Sequence, residues 1–253
     1  MAGLRILLTN AKEKKIIRDN PARNAGKLYS QAPVRHSEIE PFTEKESLLF
    51  LNSTLEHEPE YYPPFLCALH SGLRSGELAG LQWPDIDWNS KFIQVSRQIM
   101  RGKVTTLKNK HSRRKVDCSD DLLSTLAALR KTRQEEALKK GVNVISDWVF
   151  ANDKGSWIDL VNVKSQQFKR VLRKAGLRDI RFHDLRHSFA SLLLAQGAPV
   201  TYVSSQLGHA NPHITMKVYA HWVPNERQHE AVNRLPSLTQ TSTGAGTSQE
   251  ASK

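Results

Sequence analysis

Short apolar stripes at helical spacing, separated by polar punctuation, run along most of the chain. Thr43 and Glu46 form a T-x-x-E capping box after Pro41 and predict a helix carrying Leu48, Leu49 and Leu51. A second helix is predicted from Tyr62 to Leu69, with Pro63 and Pro64 in its first turn and Gly72 as its stop. A short third one covers Ser75 to Leu81 and ends at Trp83-Pro84. The period then changes. Phe92, Ile93, Val95 and Ile99, then Val104, Leu107 and Val116, lie in short β-prone pieces separated by turn residues. They predict a small antiparallel sheet of about three strands. Helical spacing returns from Asp121 to Lys140, with Leu122, Leu123, Leu126 and Leu129 on one stripe and Gly141 as the stop. Trp148-Val149-Phe150 reads as a short extended piece. Helices follow at Leu160 to Ala175, His183 to Gln196, Pro199 to Leu207, Pro212 to about His221 and Pro224 to about Asn233. The expected class is α+β, mainly α: a helical domain with one small antiparallel three-stranded sheet.

At the front, residues up to about Ala32 read as the end of a helix and a linker, with Asn20-Pro21 as the helix stop. From Pro236 the chain is polar and low in complexity, which predicts disorder. The expected organisation is therefore 1–40, 41–235 and 236–253.

Composition narrows the function classes. Lys plus Arg number 37 against 25 Asp plus Glu, a net charge of +12. No window approaches the roughly 18 apolar residues that span a bilayer. The apolar run near the N-terminus is too short for a signal peptide. Cys67 and Cys118 make neither a disulfide framework nor a cysteine-rich metal site. These features favour a cytoplasmic protein with a polyanionic partner. The charge is clustered: nine basic residues and no acid lie between Lys91 and Val116, and eight basic residues lie between Lys164 and Arg186. Within these runs Arg97, Arg101, Lys110, Arg113, Arg114 and Arg181 are the expected contacts to a nucleic-acid backbone. No basic amphipathic helix with an aromatic face accompanies them, so a membrane surface fits less well.

Four stretches carry candidate chemistry. In Gly72-Leu73-Arg74-Ser75-Gly76-Glu77-Leu78, Glu77 is three residues from Arg74 and can fix its guanidinium; a surface ion pair has the same spacing. Thr106 to Val116 places Lys108 and Lys110 at a hairpin tip, where a lysine can reach a ligand or simply be solvated. In His183-Asp184-Leu185-Arg186-His187, one helical face can present His183 and Arg186. His183 and His187 have the spacing of a zinc pair, but Asp184 stands where the metalloprotease motif needs Glu, and His187 is as readily a packing residue. Leu207-Gly208-His209 puts His209 on a turn, and Tyr219 follows ten residues later, where a lone tyrosine is more often core than nucleophile.

Taken together, Arg74, Lys108, His183, Arg186, His209 and Tyr219 stand in an order that resembles the tyrosine recombinase (phage integrase) family. The motifs G-L-R-S-G-E-L, the L-K-N-K-x-S-R-R-x-V hairpin, H-D-L-R-H-S-F-A and L-G-H followed by Tyr219 carry the resemblance over about Pro41 to Asn233. It implies that family's catalytic-domain fold and site-specific cutting and rejoining of double-stranded DNA. Arg74 and Arg186 would grip the non-bridging oxygens of one phosphate, where bidentate guanidiniums outperform lysines. His183 and His209 would add hydrogen bonds, with His183 assisting as a base near the tyrosine. Tyr219 would form a 3′-phosphotyrosine and release a 5′ hydroxyl. Lys108 would protonate that leaving oxygen, with Lys110 as competitor; Leu107 departs from the proline usual before the lysine. Glu77 would hold Arg74. Because the covalent link preserves the phosphodiester's energy, no metal, ATP or other cofactor is expected. The resemblance also implies a homotetramer on DNA, monomeric when free, in which the Pro224–Asn233 segment docks on a neighbour.

Of the family's N-terminal core-binding domain, only a last helix and linker are expected here, from Ala11 to about Lys27. A chain so truncated would bind its target weakly. Three other readings share parts of the pattern: a DNA-binding module without catalysis, a type IB topoisomerase-like enzyme, and a metal-dependent nuclease using His183 and His187.

Overall fold

The computed structural model describes residues 2–23, 40–107, 112–142 and 144–222. Lys108, Lys110, the predicted Pro224–Asn233 helix and the tail from Pro236 lie outside the described residues. The chain separates into two compact units, Met1–Ile39 and Glu40–Lys253.

In the first unit, helix α1 spans Ala2–Glu13. It therefore starts before the segment read as a helix end and stops well short of Asn20-Pro21. Lys15 adopts a left-handed φ of 59° and turns the chain. The buried Asn20 then donates from Nδ2 to the Arg5 carbonyl at 3.1 Å and to Thr9 Oγ1 at 2.9 Å, folding the turn back onto α1.

In the second unit, Thr43 and Glu46 make the reciprocal capping box that opens helix α2, Glu44–His57. Helix α3 spans Tyr62–Ser71 with prolines in its first turn, and ends at Gly72 in the left-handed region, φ 59°. A β-carbon there would stand 2.5 Å from the Phe189 ring, so both conformation and space require glycine. Helix α4 spans Ser75–Ala79 and helix α5 spans Asp120–Lys139, the latter burying Leu122, Leu123 and Leu126. The main core is centred on the mutually tilted rings of Phe42, Phe50, Phe65, Phe168 and Phe182.

The segment predicted as one helix from Leu160 is broken. Helix α6 spans Leu160–Ser165 and helix α7 spans Gln167–Lys174. The Ser165 hydroxyl back-bonds to the carbonyls of Val161 and Asn162 next to the break, a competition that bends helices. Helices α8 (Asp184–Ala195), α9 (Val200–Leu207) and α10 (Pro212–Tyr219) complete the described body. They enclose a second, smaller apolar cluster of Phe189, Ala190, Leu194, Val203, Leu207 and Tyr219.

The small sheet is antiparallel as predicted, but its strands form two ladders. Strands β1 (Ile86–Asp87), β2 (Phe92–Val95) and β5 (Arg114–Asp117) make a three-stranded sheet in the order β1-β2-β5. Strands β3 (Arg97–Met100) and β4 (Lys103–Thr106) make a separate pair. The cause is a register jump: Val95 faces Arg114 whereas Arg97 faces Thr106, so Leu107, Ser112 and Arg113 stand outside both ladders. Trp148 bridges Gln82, and Val149 donates to the Leu81 carbonyl, which accounts for the extended Trp148-Val149-Phe150 piece.

Two contacts fasten the strands to the helices. Strand β3 lies against α4 so closely that a β-carbon on Gly76 would meet the Ile99 carbonyl oxygen at 2.6 Å. On the other side, Arg114 of β5 is buried. Its Nη1 and Nη2 donate to Glu77 Oε1 and Oε2 at 3.0 and 2.9 Å, and its Nε donates to the Gln206 carbonyl at 2.6 Å. The Gln206 side chain accepts from Asp117 N at 2.9 Å, so α4, β5 and α9 share one polar network.

Gly76→Ala is expected to cost about 1–3 kcal/mol by forcing β3 off α4, read as a lower urea midpoint at unchanged m. Burial raises the pKa of Glu77, but bonds from Arg114 and Arg74 outweigh it and leave the carboxyl below its ordinary value. The stabilisation from this group is therefore present above the unfolded carboxyl pKa and is lost as pH falls through the lower folded value. Glu77→Gln should cost about 3–5 kcal/mol at pH 7 by stranding a buried guanidinium. The gap between the two proteins should narrow as unfolding is repeated below pH 4.5, and an unchanged gap would contradict the assignment.

Candidate active site

Arg186 is the centre of the arrangement. It projects from α8, is 4% exposed, and donates from Nη1 to the Gly72 carbonyl and from Nη2 to the Leu207 carbonyl, each at 2.5 Å. Those carbonyls lie at the C-terminal ends of α3 and α9, where backbone oxygens are left over and the helix dipole is negative. Burial, with the charges of Arg74 and Arg114, lowers the guanidinium pKa to about 9, so it remains a cation at neutral pH.

Arg74 occupies the N-cap position of α4. Its backbone N–H donates to Glu77 Oε2 at 2.8 Å and its Nη1 to Oε1 at 2.9 Å. Glu77 thus does hold Arg74, and it holds Arg114 as well. Arg114, grouped by sequence with the backbone-contacting residues, is instead an interior clamp: it is 8% exposed because it shares the inward face of β5 with Val116.

His209 follows the left-handed Gly208, φ 66°, that ends α9. Its Nδ1 is 2.8 Å from the hydroxyl of the buried Thr215 on α10. Burial and the charges of Arg186 and Arg74 lower its pKa to about 4. It is therefore neutral at pH 7. In the tautomer whose Nδ1 accepts from the Thr215 hydroxyl, His209 presents Nε2–H as a donor. His183 sits at the exposed rim in the N-cap position of α8, and desolvation and the Arg186 charge lower its pKa too.

Tyr219, the last residue of α10, is 1% exposed and packed in the second core beside Trp222. Its hydroxyl lies 2.5 Å from Nδ1 of His187, whose ring meets that of His183 edge-on with centroids 5.2 Å apart. Burial, opposed by Arg186, raises the phenol pKa to about 12. Burial and His183 lower the His187 pKa to about 4. Both partners are neutral at pH 7; with His187 in its Nε2–H tautomer, the phenol donates and Nδ1 accepts.

The structure thus brings Arg74, Arg186, His183, His209, Tyr219 and Glu77 into one region of the second unit. Lys108 and Lys110 lie outside the described residues. Of the remaining basic residues, Arg101 is exposed at the β3–β4 turn, and Arg113 is exposed with its Nε on the Leu107 carbonyl at 3.1 Å. Arg97 pairs with Asp85, and the exposed Arg181 pairs with Asp184 at 2.9 Å. Sequence reasoning missed Thr215 and undervalued His187. Thr215 carries no sequence signal, whereas His187 is one helical turn past His183 on the face that meets α10.

Among the described residues, no group of three or more His, Cys, Asp or Glu gathers to hold a metal ion. Nor is any described helix long and apolar enough to cross a membrane.

Comparison with known proteins places the fold. Residues 42–226 match the phage integrase family. The chain is 34% identical over 219 residues to a tyrosine recombinase XerC-like protein of Caldanaerobacter subterraneus subsp. tengcongensis, covering 80% of this chain and 55% of that protein. It is 29% identical over 244 residues to the ICEBs1 integrase of Bacillus subtilis, covering 94% of this chain and 64% of the relative. It therefore spans between half and two thirds of the length of these relatives. Among solved structures, the Tn1549 transposon integrase in complex with a circular intermediate DNA superposes with a TM-score of 0.73 at 21% identity, over 92% of this chain and 76% of that one. XerH recombinase bound to its difH substrate superposes with a TM-score of 0.56 at 26% identity, over 78% and 54%. With the match to the family model spanning most of the second unit, the chain belongs to the phage integrase family.

Proposed function

We propose that this chain is a site-specific DNA recombinase that cuts and rejoins double-stranded DNA through a 3′-phosphotyrosyl intermediate. The observation that carries the reading is the gathering of Arg74, Arg186 and the neutral His209, with Tyr219 on the adjoining helix. Arg74 and Arg186 supply fixed positive charge for the non-bridging oxygens as negative charge builds in the transition state. His209, oriented by Thr215, donates to the same phosphate, and His183 at the rim adds to it. Tyr219 attacks phosphorus, and its oxygen replaces the 5′ oxygen of the departing strand. Lys108 delivers the proton that the leaving oxygen needs. Rejoining is the reverse displacement by a 5′ hydroxyl, so no external energy source enters.

Backbone contacts come from Arg101, Arg113 and Arg181, with Arg97 and Lys110 beside them. Arg114 holds the site together from within. The relatives named integrase and recombinase, and the neighbours solved with DNA, support DNA as the partner. The reading extends to four copies on paired DNA sites and to a protein found with the nucleoid.

The test is covalent trapping. A library of nicked duplexes with randomised centres is incubated with the protein in EDTA and resolved under denaturing conditions. The wild-type chain should form a protein–DNA adduct, whereas Tyr219→Phe should form none. An adduct that persists in Tyr219→Phe, or cleavage that EDTA abolishes, would refute the reading.

A further inference from the structure

Resting on the reading of Tyr219 as nucleophile, we propose that His187, the second histidine of H-D-L-R-H, accepts the proton of the Tyr219 hydroxyl as that oxygen attacks phosphorus. The contact is direct, at 2.5 Å between Nδ1 and the phenolic oxygen, and it joins α8 to α10. Both residues are shielded, Tyr219 fully and His187 in large part, so water competes poorly for the phenol. His183 contributes differently: its ring stacks edge-on against His187 and fixes that ring's plane.

The groups around His187 set its resting protonation state. His183, Arg181 and Arg186, on or just before α8, disfavour a charged imidazole, while Asp184 opposes them. Tyr219 faces it from α10 and His209 from the turn after α9. Arg74, beyond α3, acts on the neighbouring His183 and His209. The result is an imidazole that is unprotonated at neutral pH and able to take a proton.

In the step, the O–H bond of Tyr219 breaks and its proton passes to His187 Nδ1. The phenolic oxygen bonds to phosphorus, and the bond from phosphorus to the 5′ oxygen breaks. That oxygen takes a proton from Lys108. In the rejoining step His187 returns its proton to the departing phenolic oxygen. The two transfers are separate, which allows them to be distinguished.

The experiment measures single-turnover adduct formation by the full chain on a nicked duplex selected with wild-type protein. Wild type should be nearly independent of pH from about 5.5 to 8, because His187 titrates near 4. His187→Gln keeps an acceptor but cannot carry the proton. It should be slower by roughly 10²-fold or more at pH 7, with unchanged DNA affinity and a rate that climbs with pH. A duplex with sulfur at the 5′-bridging position has a leaving group that needs no proton. It should restore Lys108→Ala but leave His187→Gln slow. His187→Gln with wild-type rate, or its rescue by the sulfur substrate, would overturn the proposal. A thermal melt on each variant separates misfolding from chemistry, and His187→Asn serves if His187→Gln melts early. Failure of wild type to form a Tyr219-dependent adduct would take down the underlying reading, whereas normal adducts from both His187 variants would remove this inference alone.

Discussion

The placement of Arg186 between the carbonyls of Gly72 and Leu207 is the constraint on which the rest of the site depends. A guanidinium this buried costs several kcal/mol unless its donors are met, and here two helix C-termini meet them. Both helices end at a glycine in the left-handed region, Gly72 and Gly208. Each sharp exit then carries a side chain of the candidate site within two residues of the bonded carbonyl: Arg74 after Gly72, and His209 after Leu207. The bond that satisfies the buried charge therefore also sets the spacing of the groups on either side of it.

A cluster holding Arg74, Arg114 and Arg186 around one carboxylate, Glu77, carries an excess of positive charge. That excess favours an anion at the open side. Burial first, and then neighbouring positive charge that includes Arg186, lowers the pKa values of His183, His187 and His209. In the proposed reaction those histidines contribute hydrogen bonds and proton acceptance, while the arginines supply the charge. Glu77 keeps the arrangement from flying apart, and because Arg114 also reaches the Gln206 carbonyl, the same carboxylate ties the sheet to α9.

Much of this was legible in the chain itself. The capping box at Thr43 and the glycine stop at Gly72 rest on local rules that the tertiary structure did not override, whereas the order from Arg74 to Tyr219 was legible through the family resemblance. The failures are equally specific. Arg114 was read by its charge, but strand alternation puts it on the same face as Val116, and that signal was available. The split into two ladders was not available, because a register jump between Thr106 and Arg114 leaves no mark on the apolar pattern. The break at Gln166 follows from hydroxyl back-bonding at Ser165, a choice that competes evenly with continued helix. Thr215 acts only through a contact that folding creates.

Tyr219, the proposed nucleophile, is packed as a core residue. It ends a helix of two turns whose packing depends on the small cluster with Phe189, Leu194, Val203 and Leu207, and its ring is part of that cluster. Burial pushes its phenol toward a pKa of about 12, which suppresses reaction in the absence of a bound phosphate. Among the described residues the compensating influence is the Arg186 charge, which lowers that value. Packing and chemistry are therefore coupled through α8: it carries Arg186 toward the two carbonyls and His187 toward the phenol. A shift of α8 large enough to free Tyr219 would have to act on those carbonyl bonds as well. The tyrosine is consequently restrained by the same helix that holds the buried Arg186.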